Sequence, residues 1–100
     1  MSYTLIAWDG KGEPTRAAVE ERFSAEGLRP SSWSNRPGDR YGEHSHTYHK
    51  VLYCVDGSIT FHVQGNAIEL HPGDRLDLTP GTPHSAVVGS DGVTCLEASR

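Results

Sequence analysis

The 100-residue chain has only two cysteines and two lysines, and no apolar run approaches the roughly 18 residues of a membrane-spanning helix. Cys54 and Cys95 are far apart and lack neighbouring ligands at metal-site spacing, so neither a CxxC redox motif nor a zinc knuckle can be built from them. In VLYCV and VTCLEA they read as buried thiols among β-formers, with a reactive or bridging pair as the alternative. The opening MSYTLIAWDGKGE has no basic leader, long apolar core or small-residue cleavage site, so a cytoplasmic protein is expected. Basic residues are scarce too. Nine against thirteen acidic ones give a net charge of −4, which argues against nucleic acid or an anionic membrane as partner. The length allows one domain with a modest core.

What is present is histidine, six of them in a short chain. YTLIAW (3–8) predicts a strand that DGKGEP breaks. From Pro14 to Glu26 the pattern predicts a helix, with Pro14 in its first turn, Val19 and Phe23 on one face and Gly27 ending it. Short β-type segments follow at 32–36, 42–47, 50–55, 58–64, 67–70, 75–78, 84–88 and 93–98. Their connections VDGS, QGNA, HPGD, TPGTP and GSDG are turn-like. This spacing predicts an all-β domain with a closed or nearly closed antiparallel sheet. Residues 1–35 read as a strand-helix-strand extension packed on a barrel made by 36–100.

His44 and His46, in EHSHTYH, fall on the same side of a strand if the period-two alternation holds, and that parity continues to Lys50. His84 opens a later strand directly after the TPGTP turn. Three imidazoles converging inside a small barrel offer neutral nitrogen donors to a divalent transition metal while leaving positions open. His62 faces away from the apolar set Ile59, Phe61 and Val63, and His71 precedes a Pro-Gly turn, so both are expected at the surface. Trp33, Tyr41, Tyr48 and Tyr53 are expected in the core, at a subunit interface or around a pocket.

GDRYGEHSHTYHKVLYCVDG, from Gly38 to Gly57, and GDRLDLTPGTPHSAVV, from Gly73 to Val88, resemble the two motifs of the cupin superfamily, GxxxxxHxHxxxExxxxxxG and GxxxxxPxGxxHxxxN. Gly38, His44, His46 and Gly57 match the first; Gly73, Gly81 and His84 match the second. The resemblance implies a jelly-roll β-barrel with an interior site, a divalent metal (iron, zinc, manganese, nickel or copper) on His44, His46 and His84, and a homodimer. Thr79 and Val88 depart from the second motif without consequence for the chemistry.

Lys50 is the departure that matters, because it stands where the motif has its glutamate ligand. A protonated lysine repels a cation and only donates hydrogen bonds. Three readings follow: a three-histidine metal site with Lys50 free to bind an anionic substrate; His49 as replacement ligand through a local bulge; or a metal-free pocket or structural barrel. The chemistry ranges accordingly from a metal-dependent oxidoreductase or isomerase on a small anionic compound to a non-enzymic small-molecule binder.

Overall fold

The computed structural model describes all 100 residues, as seven strands and one helix: β1 (Tyr3–Ile6), α1 (Arg16–Ala25), β2 (Ser31–Asn35), β3 (Arg40–His44), β4 (Lys50–Val63), β5 (Asn66–Leu70), β6 (Arg75–Leu78) and β7 (His84–Ser99). Every strand pairing is antiparallel. The long strands β4 and β7 lie side by side and are shared between two layers. Their ends at Lys50–Tyr53 and Val93–Ser99 carry β6 and β2, with β1 beyond β6. Their other ends carry β5 on β4 and β3 on β7. This is an all-β jelly-roll barrel.

VDGS and GSDG were expected as turns between separate strands, but the chain continues through both. The register shifts between Cys54 and Asp56 and again between Gly57 and Ile59, and such irregularities bend a strand without ending it. Gly57 is what makes the bend possible. Its φ of 71° is unfavourable for side-chain-bearing residues, and a Cβ there would lie 2.0 Å from the Gly92 carbonyl oxygen of the facing strand. The bend carries each strand from one layer to the other and closes the interior.

Alternation sorts the side chains of β4 and β7. Leu52, Cys54 and Cys95 point inward and join Ile59, Phe61, Leu70, Leu76 and Val93 in the barrel core. Cys54 and Cys95 are both buried free thiols, opposite each other in register. Val51, Tyr53, Leu96 and Ala98 point outward and are covered by Val19 and Phe23 of α1. Burying an aromatic side chain such as Phe23 supplies about 1.5–3 kcal/mol. It also meets the Tyr53 ring edge-on at 5.2 Å.

The helix begins two residues later than the sequence suggested, at Arg16 rather than Pro14. Thr15 is the N-cap, its hydroxyl accepting from the Ala18 N–H at 3.1 Å, and Pro14 therefore precedes the cap. At the other end the Leu28 N–H donates to the Phe23 carbonyl and the Gly27 N–H to the Ser24 carbonyl. Gly27, at φ 72°, thus closes a Schellman turn. The first 35 residues also add β1 and β2 to the sheet, hydrogen-bonded to β6 and β7.

Candidate metal centre

β3 ends at His44, and residues 45–49 leave the strand before β4 begins at Lys50. His46 therefore does not share a strand face with His44, as period two had suggested. Instead the loop folds back, and the Gly81 N–H donates to the His46 carbonyl at 2.7 Å, tying it to the TPGTP turn. His84 follows that turn as the first residue of β7, in register with His44. Turn and loop together bring the three rings into one cluster, with centroids 5.0 Å apart for His44 and His46, 4.3 Å for His44 and His84, and 5.2 Å for His46 and His84. One ligand nitrogen from each lies within 4.8 Å of the others.

Hydrogen bonding selects which nitrogen each ring presents. His44 Nδ1 sits 2.7 Å from the Gly42 carbonyl and His84 Nδ1 3.0 Å from the Thr82 carbonyl. A carbonyl can only accept, so Nδ1 carries the proton and Nε2 keeps its lone pair, the arrangement found around metal-ligating histidines. The Nε2 atoms of His46 and His84 are buried without any hydrogen-bond partner. Burial, followed for His46 by the charge of Lys50, holds both imidazoles below the usual histidine range, against the Thr82 hydrogen bond in the case of His84. They are neutral at pH 7 and available as donors. Nε2 of His44, His46 and His84 together form a donor set that fits a divalent transition metal.

Lys50 points inward with Leu52. Its Nζ lies 3.3 Å from Glu97 Oε1, and the same oxygen accepts from Trp33 Nε1 at 2.6 Å. His44, His84, Lys50 and Glu97 border a cavity of about 200 Å³, room for about seven water molecules. Trp33, Tyr41 and Phe61 supply apolar wall.

The remaining expectations separate cleanly. His49 is not brought to the cluster: its Nε2 lies 3.0 Å from Asp77 Oδ2, so the bulge that would turn it inward is absent. Asp77 in turn binds Arg75, which also pairs with Glu26 from the helix end. His62 and His71 are exposed, the latter beside Glu69 at 3.0 Å. Trp33 and Tyr41 line the cavity, Tyr48 packs on the His46 ring, and Tyr53 lies beneath the helix. Glu97 was missed by sequence reasoning. The signal was the alternation in VTCLEAS, which puts Glu97 on the inward face with Cys95.

The fold and site define a small jelly-roll barrel with a histidine cluster opening onto an aromatic-walled cavity. The sequence profile of the Cupin domain family matches residues 33–96, and the chain belongs to that family. Quercetin 2,3-dioxygenase of Bacillus subtilis (strain 168) is 43% identical over 49 residues, covering 48% of this chain and 14% of that enzyme's length. Among solved structures, the chain is similar to one described in the crystal structures of the DMSP lyases RdDddP and RnDddQII, with TM-score 0.68 and 27% identity over 73% of this chain and 38% of that one. KdgF from Halomonas sp. superposes with TM-score 0.63 and 26% identity, over 72% of this chain and 68% of that one. No helix is long and apolar enough to cross a membrane.

Proposed function

We propose that this cupin holds a divalent transition metal on Nε2 of His44, His46 and His84 and acts as an oxidoreductase on a small anionic compound bound in the adjoining cavity. One observation carries the reading: two buried Nε2 atoms have no hydrogen-bond partner, a cost that a barrel interior sustains where the lone pairs have another use. The similarity to quercetin 2,3-dioxygenase supports oxidation over isomerisation, although only 14% of that enzyme's length is matched.

A bound divalent metal supplies Lewis acidity and electron transfer to oxygen compounds. The chain's own residues do the rest. The Gly42 and Thr82 carbonyls hold the His44 and His84 rings in the tautomer that presents Nε2. Trp33, Tyr41 and Phe61 exclude water from one side of the cavity and give a flat compound an apolar wall. Lys50 has three N–H donors, of which one faces Glu97; the other two are left for a negatively charged oxygen of the substrate.

Lys50 at the position of the motif glutamate favours a second reading, in which the barrel binds a small molecule without metal. Elemental analysis of untagged protein separates the two. Stoichiometric metal that His46→Ala abolishes supports the first; no metal after reconstitution in either sample overturns it. A cytoplasmic location belongs to the same proposal, supported by two core cysteines kept as free thiols. So does a homodimer, supported by the edge strand β1, where Leu5 and Ile6 are 47% and 49% exposed; a monomer at micromolar concentration in sedimentation velocity would exclude it.

A further inference from the structure

Lys50 places a positive charge on the inward face of β4, beside three imidazole donors, at the point where a metal centre of this kind gains from a carboxylate. On its own this arrangement opposes a divalent cation. The interior, however, contains one carboxylate that no motif assigns. Glu97 stands on β7 opposite Leu52, on the inward face, and its side chain is 21% exposed while that of Lys50 is 10% exposed.

Two groups fix the Glu97 carboxylate. The Trp33 indole donates to Oε1 at 2.6 Å from the β2 side, and Lys50 Nζ approaches the same oxygen to 3.3 Å from the β4 side. Charge-assisted contacts of this kind hold an oxygen more firmly than neutral ones. Oε1 is thus occupied twice, and the carboxylate does not belong to the set of groups within ligand reach of one another, which is confined to His44, His46 and His84. It nevertheless borders the same cavity as His44, His84 and Lys50, so its charge acts across that space on any cation held there.

We propose that Glu97 is a positioning residue for the metal centre: held by Trp33 and paired with Lys50, it supplies from β7 the negative charge that the motif places at position 50, and does so without ligating. The proposal rests on the metal-binding reading above. A carboxylate and an ammonium that nearly cancel leave the centre with neutral surroundings, so a three-histidine site can retain a dication despite the lysine. Trp33 becomes part of the device, because without its N–H the carboxylate is free to turn away.

The test is zinc affinity of the full chain, by competition with a chromophoric chelator, together with the visible spectrum of the cobalt(II) form. Glu97→Gln keeps the shape and one acceptor oxygen but removes the charge, and it should weaken zinc binding about tenfold, the scale of one charge lost from the surroundings of a dication. Lys50→Met should tighten binding, and the double variant should return to within about threefold of wild type, because the opposing charges are removed together. The cobalt spectrum should be the same in all four proteins. A purely structural Glu97 would lower the melting temperature without moving zinc affinity, and that result overturns the proposal. So does a directly ligating Glu97, shown by a changed cobalt spectrum and a double variant as weak as Glu97→Gln. If wild type binds neither ion, the metal reading itself fails and the proposal falls with it.

Discussion

Replacing His46 by phenylalanine should make the metal-free protein more stable while abolishing its response to metal. His46 Nε2 is buried without a partner, and an unsatisfied buried polar atom costs about 1–3 kcal/mol. Phenylalanine keeps a planar ring against Tyr48, which the imidazole now meets at 5.0 Å and 31°, and it brings no polar atom to satisfy. Allowing for some strain from the larger ring, the gain is about 1–2 kcal/mol. For a domain this size, that is a rise in melting temperature of roughly 4–16 °C. The advantage should widen as pH falls. Burial, and then the charge of Lys50, hold the His46 imidazole below its ordinary value, so the unfolded chain takes up the proton first. Wild-type stability is therefore intact above about pH 6.5 and declines below it, and the variant loses one of the two contributing groups, His84 being the other. Metal acts the other way: at 100 times its dissociation constant it stabilises wild type by about 2.7 kcal/mol and the variant not at all. Thermal melts in EDTA and in zinc, from pH 5 to pH 8, read all of this. A variant that is less stable than wild type in EDTA at pH 7.5, or that keeps the zinc-induced shift, refutes the reasoning.

The other expectations concern the outer layer. Phe23→Ala opens a cavity between helix and sheet and should cost about 3–5 kcal/mol in urea unfolding, while zinc affinity stays unchanged, since α1 covers the face of β4 and β7 opposite the histidines. Hydrogen bonds from Arg75 hold the Glu26 carboxyl below its usual range against partial burial; burial pushes Asp77 up, but hydrogen bonds from Arg75 and His49 outweigh it and lower it too. Depressed carboxylates contribute stability that is present above about pH 4.5 and lost as pH falls through their folded values, so urea midpoints should drop progressively as pH falls below about 4.5. Arg75→Met should reduce that acid-dependent loss and destabilise the protein at pH 7 by about 1–3 kcal/mol, because the buried Asp77 carboxylate loses its guanidinium and keeps only His49.

Local chemistry made much of the architecture legible. Val19, Phe23 and Gly27 announce the helix because its packing face and its C-terminal turn are both set by neighbours in sequence. Strand positions follow from alternating β-formers. The errors arose where a residue could serve two conformations. Gly57, in VDGS, suits a hairpin turn and a bulge equally, and only the facing Gly92 carbonyl, with no room for a side chain, shows that it bends a continuous strand. His44 and His46 were grouped correctly for a local reason that does not hold. They meet through a loop tied to the TPGTP turn by the hydrogen bond between Gly81 and His46.

The sequence alone determined the scarcity of lysine and cysteine, the two histidine motifs, the all-β class and the lysine standing in a glutamate's place, because these depend on residue identity and short-range spacing. Only the tertiary structure decided what surrounds that lysine. Glu97 reaches it from β7, Trp33 steadies the carboxylate from β2, and His49 is drawn outward to Asp77. Charges interact through space across strands that pair far apart in the chain, and no spacing rule within one motif contains that information.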